Sequence, residues 1–245
     1  MSFPSAVQRL RDPEEVARAA ASVFAQEVSR ALAARGRFSV ALAGGSTPRL
    51  LYGLLSGALL PWDRTEVFWG DERHVPPDHP QSNYRMAGEA LLSKVPIPAA
   101  NIHRIPGELA DPEAAAREYE ETLRQVFALD PGRLPRFDLI LLGMGADGHT
   151  ASLFPGSPAL AELKRLVTTA WIPALGSSRI TLTLPVLNQA RAVVFLVCGE
   201  EKADALREVL EGERKPTLPA EAVQPVEGRL LWLVDEAAAR RLKVS

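Results

Sequence analysis

The stretch Phe137-Asp-Leu-Ile-Leu-Leu-Gly-Met-Gly-Ala-Asp-Gly-His-Thr150 decides the fold. Its first six residues, F-D-L-I-L-L, form a short apolar run that reads as a strand buried on both faces. The run then breaks into a loop holding Gly143, Gly145 and Gly148 around one aspartate and one histidine. A strand buried on both faces belongs to a sheet covered by helices on both sides, and such sheets bind ligands just outside the carboxyl ends of their strands. Each further motif can therefore be asked whether it follows a strand.

Working outward, the same alternation recurs along the chain. Upstream, Phe38 to Ala43 reads as a buried strand that breaks at Gly44-Gly45 and enters a helix near Pro48. A strand at Glu66 to Trp69 and a helix around Tyr84 to Leu92 follow, then a helix opened by Asp111-Pro112 and running to about Ala128. Before all of these, Asp12 to Arg35 carries apolar residues at helical spacing, with Asp12 as N-cap, Pro13 in the first turn and Gly36 as terminator. Downstream, strands are expected at Leu166 to Trp171, Arg179 to Leu182, Ala192 to Cys198 and Leu230 to Val234, with a helix at Glu200 to Leu210. Strands alternating with helices predict an α/β fold, a doubly wound and mainly parallel sheet with helices on both faces. No low-complexity linker or fixed repeat divides residues 1–245, so a single domain is expected.

Composition removes several function classes. The 245 residues carry 28 basic and 30 acidic side chains, so a global basic field for nucleic acid or an anionic membrane is absent. One cysteine, Cys198, excludes an intrachain disulfide, and with four scattered histidines it makes a cysteine-rich zinc module implausible. No run of about 18 apolar residues supports a membrane-spanning helix. Met1 to Arg11 lacks the apolar core of a secretory leader, which points to a cytoplasmic protein. Only one helix is expected before the first strand, which leaves no room there for a helix-turn-helix.

Three loops follow strands and carry chemistry. Gly44-Gly45-Ser46-Thr47-Pro48 places glycines, two hydroxyls and a helix start together, which can cradle a phosphate. It lacks the Gly-Lys-Ser/Thr of a P-loop and the G-x-G-x-x-G of a dinucleotide site, and an ordinary capped turn with Thr47 as N-cap is the competing reading. Asp71-Glu72-Arg73 follows the second strand, where three charged residues in isolation read as a solvated loop. His149 lies in the glycine-rich turn, where an imidazole suits general acid–base work near neutral pH. Lys202, expected in the first turn of a helix, opposes the helix dipole unless it meets an anion or pairs with a glutamate. His74, His79 and His103 have no expected role, and Cys198 reads as a small buried residue.

The motifs together resemble the glucosamine-6-phosphate isomerase/6-phosphogluconolactonase family. The matching pieces are A-L-A-G-G-S-T-P at Ala41 to Pro48, W-G-D-E-R-H-V-P at Trp69 to Pro76, Q-S-N-Y at Gln81 to Tyr84, and D-L-I-L-L-G-M-G-A-D-G-H-T-A-S-L-F-P at Asp138 to Pro155. Arg179-Ile-Thr-Leu-Thr183 and Gly199-x-x-Lys202 extend the match over nearly the whole chain. The resemblance implies a Rossmann-like fold and hydrolysis of 6-phospho-D-glucono-1,5-lactone to 6-phospho-D-gluconate in the pentose phosphate pathway, with no metal and no organic cofactor. It implies that Gly44, Gly45, Ser46 and Thr47, with Arg179 and Lys202, hold the phosphate. In the same reading His149 activates water, Arg73 binds or polarises the lactone, and Asp71, Asp147 and Gly148 line the substrate. Asp147 and Asp71 both qualify to orient the imidazole.

The deaminase branch of that family is the alternative. It resembles D-E-Y where this chain has Asp71-Glu72-Arg73, and D-G-H-I-A-F-N-E-P where this chain has D-G-H-T-A-S-L-F-P. Phe154 thus stands where the deaminases place a glutamate that supports ring opening through the histidine. Phenylalanine relays no proton, so the lactonase branch is expected. A sugar-phosphate sensor without catalysis is the alternative from another class. The expected partner is a small phosphosugar lactone, with no nucleic acid and no membrane, and the chain is compatible with a monomer or a small homo-oligomer.

Overall fold

The computed structural model describes residues 6–173, 176–212 and 218–243. In chain order the main elements begin with β1 (Ala6–Leu10), α1 (Pro13–Arg35), β2 (Phe38–Leu42), α2 (Ser46–Leu55), β3 (Thr65–Trp69) and β4 (Asp71–Arg73). Then come α3 (Asn83–Ala90), α4 (Pro112–Val126), β5 (Leu139–Leu142), β6 (Val167–Ile172) and β7 (Ser177–Leu182). The last are α5 (Leu184–Asn188), β8 (Ala192–Val197), α6 (Ala203–Glu211), β9 (Arg229–Asp235) and α7 (Glu236–Ala239).

Six strands form one sheet in the order β1-β9-β8-β5-β2-β3, every neighbouring pair parallel. β2, β5 and β8 are buried at every residue, as a parallel sheet covered on both faces requires. The helix boundaries follow their caps. The Asp12 carboxylate accepts from Glu15 N, and Gly36 at φ 72° closes α1 by donating its N–H to Leu32 O. The Asp111 carboxylate accepts from Glu113 N and Ala114 N at the start of α4. Among the described residues no helix is long and apolar enough to cross a membrane.

Three expectations are corrected. β6 and β7 do not join the parallel sheet; with β4 they form a second, antiparallel sheet in the order β4-β7-β6. The segment between them is too short for the crossover that parallel strands need, so they fold back as a hairpin. Asp71-Glu72-Arg73 is not a solvated loop but the strand β4, with Asp71 and Glu72 buried. Gly70 links the two sheets, donating its N–H to Leu42 O and accepting from Leu182 N. Finally, α1 is not the first element: β1 precedes it and pairs with β9 along the sheet edge. Its residues A-V-Q-R-L are mostly exposed, so no apolar run announced it. Residues 1–5 of the stretch read for a leader lie outside the described residues.

Candidate active site

From β2 the chain steps to β3 on one side, while β5 lies on the other side of β2. The carboxyl ends of β2 and β5 therefore flank the point where strand order reverses, the place where such sheets open a crevice. A cavity of about 300 Å³ lies there. Gly44 and Gly45 from the end of β2, Gly143 to Gly145 and His149 from the loop after β5, Asp71 and Arg73 from β4, and Lys202 before α6 all line it.

The first loop is not the capped turn with Thr47 as N-cap. Gly45 is the N-cap of α2, with no side-chain hydrogen bond, and Ser46 and Thr47 are its first helical residues. Gly45 takes φ 110°, a conformation that a side chain disfavours. The first N–H groups of a helix have no intrahelical partner, and here no cap side chain satisfies them. The Thr47 hydroxyl hydrogen-bonds the Cys198 thiol at the end of β8, and burial pushes that thiol up to about 11. Ser46 is exposed and Thr47 buried, both just behind the cavity-lining glycines.

The second loop settles how the imidazole is held. Asp147 Oδ1 lies 2.5 Å from His149 Nδ1 and also accepts the His149 backbone N–H. Burial opposes ionisation of Asp147, but these hydrogen bonds outweigh it and hold the carboxyl below its ordinary value. A carboxylate at Nδ1 keeps the proton on that nitrogen and leaves Nε2 as the acceptor. The ring sits so close over Gly145 that a Cβ there would stand 2.1 Å from His149 Nδ1. Only glycine allows that approach. Phe154 stacks on the histidine ring, with centroids 4.2 Å apart. Neither Asp147 nor Gly148 lines the cavity: Asp147 acts through His149, and the Gly148 carbonyl accepts from Ala220 N and anchors the turn.

Asp71, the other candidate orienter, is engaged elsewhere. Its carboxylate accepts Ser152 Oγ at 2.6 Å and Asn83 Nδ2 at 3.3 Å. These bonds tie the loop after β5 to β4 and α3. Glu72 is a scaffold residue: its carboxylate accepts Ser82 Oγ and the backbone N–H groups of Arg73, Asn83 and Tyr84. Sequence reasoning missed Asn83 and Ser152, because a neutral side chain in a loop or helix start carries no periodic or charge signal. The Q-S-N-Y match contained the first of them without assigning it work.

Arg73 and Arg179 are register partners across β4 and β7. Arg73 donates to Gln81 O, and Nε of both arginines is buried without an acceptor among the described residues. Burial, then the nearby Arg73 charge, holds the Arg179 guanidinium below its ordinary value. Arg179 does not itself line the cavity. Lys202 does, at the end of a 3-10 turn that precedes α6 rather than within the helix's first turn. Its Nζ lies 3.7 Å from a largely exposed Glu201 carboxylate, a weak tether that leaves the cation available.

Comparisons with known proteins agree with this geometry. A model of the glucosamine-6-phosphate isomerases/6-phosphogluconolactonase family matches residues 11–232. A 6-phosphogluconolactonase of Synechocystis is 49% identical over 217 residues, covering 88% of this chain and 89% of that one. A human 6-phosphogluconolactonase is 42% identical over 248 residues, covering 98% and 95%. The solved structure of a 6-phosphogluconolactonase from Trypanosoma cruzi superposes with a TM-score of 0.88 at 29% identity, covering 100% of this chain and 99% of that one. By sequence, by fold and by the motifs gathered at one sheet edge, the chain belongs to the glucosamine-6-phosphate isomerase/6-phosphogluconolactonase family.

Proposed function

We propose that this chain is a carboxylic ester hydrolase that converts 6-phospho-D-glucono-1,5-lactone to 6-phospho-D-gluconate. The observation that carries the reading is His149 on the cavity wall, its Nδ1 held by Asp147 and its ring stacked by Phe154 and not by a carboxylate. The 6-phosphogluconolactonases among its relatives at 42–49% identity support the same activity.

In this reading the substrate phosphate docks where the uncapped N-terminus of α2 and the Lys202 ammonium converge. The N–H groups of Gly45, Ser46 and Thr47 donate to it, and charge-assisted hydrogen bonds make this the tighter end of the site. Arg179 adds positive potential from behind Arg73. The lactone carbonyl is then held beside His149. As water attacks C1, Nε2 takes its proton and the carbonyl electrons move onto oxygen. Arg73, lining the cavity, stabilises that oxyanion; one well-placed donor of this kind is worth ~3–4 kcal/mol. When the tetrahedral intermediate collapses, the C1–ring oxygen bond breaks and the imidazolium returns the proton to the departing oxygen. Asp147 keeps the ring in the needed tautomer and steadies its positive charge between the two transfers. Asp71, Asn83 and Ser152 hold the walls together and leave the chemistry to others.

The deciding experiment runs lactone hydrolysis beside ammonia release from glucosamine 6-phosphate, with the spontaneous lactone hydrolysis subtracted. Lactone turnover above background without ammonia is expected. Ammonia release would return the chain to the deaminase branch, and turnover of neither would leave a sugar-phosphate sensor.

A further inference from the structure

At the opposite end of the parallel sheet, below the amino ends of β2, β5 and β8, lies a second cavity of about 480 Å³. That is within the range of small-molecule sites. Arg35, Arg37, Arg136 and Arg191 line it, together with only two carboxylates, Asp138 and Glu66. Both carboxylates are already committed. Asp138 is buried and accepts Ser39 N and Ser39 Oγ with one oxygen, and Arg35 at 2.6 Å with the other. Glu66 pairs with His103 at 2.8 Å.

The arginines are under-served. Arg191 Nε reaches Asp138 Oδ1 only at 3.4 Å, sharing an oxygen that Arg35 already holds. Nε of Arg191 and of Arg136 are buried donors with no hydrogen-bond acceptor among the described residues. Arg136 reaches a largely exposed Glu227, its carboxylate at 3.3 Å and its carbonyl oxygen at 3.2 Å, and Arg37 is exposed with no ion-pair partner among the described residues. Burial, and then the neighbouring Arg35 and Arg136 charges, press the Arg191 guanidinium below its ordinary value. Guanidinium forks whose Nε lacks an acceptor, crowded by like charge, are what a tetrahedral oxyanion neutralises.

We propose that this cavity is a second anion site, taking a small molecule through a phosphate or pyrophosphate group bound by Arg37, Arg136 and Arg191. It does not rest on the lactonase reading, because the strands separate it from the crevice at their carboxyl ends.

The test is a calorimetric titration of inorganic pyrophosphate into the full chain at low salt. One arm disables the other cavity, the Lys202→Ala variant. Pyrophosphate binding is expected to persist there, and to weaken at least roughly tenfold in Arg37→Gln/Arg191→Gln, the equivalent of one charge-assisted bond. If the double variant is unfolded by circular dichroism, Arg37→Gln alone serves, since that side chain is exposed and has no ion-pair partner among the described residues. Binding abolished by Lys202→Ala, or undiminished by the arginine variants, overturns the proposal. So does the absence of any binding. No lactone hydrolysis by the unmodified chain, with pyrophosphate binding intact, would instead overturn the reading of the first cavity alone.

Discussion

The Phe154 ring lies stacked on the His149 ring, the centroids 4.2 Å apart and the planes inclined by 23°. With Asp147 on Nδ1 and Gly145 pressed close to the Nδ1 side of the ring, the imidazole is restrained and its Nε2 is the nitrogen left to meet substrate. A flat apolar neighbour restrains the ring without offering a proton path. Phe154→Ala should therefore lower kcat while leaving KM within about twofold, and Phe154→Leu should recover part of the loss. Steady-state kinetics of the two variants checks this; an equal fall in both would mean that apolar bulk recovers nothing and that only a flat aromatic neighbour restrains the imidazole.

His149→Ala should cost on the order of 10²–10⁴ in kcat, the usual weight of one general base. Binding of 6-phospho-D-gluconate, measured by calorimetry, should survive. Near-normal turnover would remove His149 from the mechanism.

Asp147→Asn keeps the shape of the pair but offers Nδ1 an amide that can also donate, so the tautomer is no longer enforced. A kcat loss of at least roughly tenfold with little change in KM is expected. Because the Asp147 carboxyl is held below its ordinary value, its contribution to folding is present above the unfolded carboxyl range and fades as pH falls through the lowered value. Denaturation of wild type and Asp147→Asn should therefore differ at neutral pH and converge in acid.

How much of this was legible in the sequence varies by element. Strands buried on both faces announce themselves as apolar runs, so β2, β5 and β8 and the loops at their ends could be placed. The caps of α1 were equally readable, since Asp12, Pro13 and Gly36 each act within one turn of chain. β4 was not, because D-E-R has no apolar face and its burial comes from β7, more than a hundred residues away. The antiparallel hairpin of β6 and β7 was hidden behind an expectation of one sheet, although the short connection was a usable signal. The choice of Asp147 over Asp71 needed coordinates, because both follow strands at the same sheet edge and only distance separates them. The second arginine cavity gathers residues from α1, β2 and the approaches to β5 and β8, and no local pattern could unite them.

Lys202→Ala should act mainly on KM. The ammonium meets a phosphate that does not change during hydrolysis, so its contact is equal in ground state and transition state. Loss of one charge-assisted contact predicts a rise of about tenfold or more in KM, with kcat nearly kept. An unchanged KM would take Lys202 out of the site, and a matching fall in kcat would mean that it also positions the lactone.

Glu72 supplies a prediction about stability. The carboxylate is 2% exposed and gathers Ser82 Oγ with three backbone N–H groups at the junction of β4 and α3. Burial nonetheless pushes its carboxyl above the ordinary value, the hydrogen bonds recovering only part of the shift. Between the unfolded carboxyl range and that raised value, the native state holds more protons than the unfolded chain. Its contribution to stability must therefore fall as pH rises through that window and stay level above it. Glu72→Gln removes this dependence but turns an amide NH₂ toward donors that need an acceptor, at a cost of about 1–3 kcal/mol. Urea denaturation from pH 4 to pH 8 should show the variant less stable throughout, with the gap widest in acid, where the wild-type carboxyl is relieved of its charge. A gap widest at neutral pH would mean that the hydrogen bonds, and not burial, control Glu72, and that the ionised carboxylate is what holds β4 against α3.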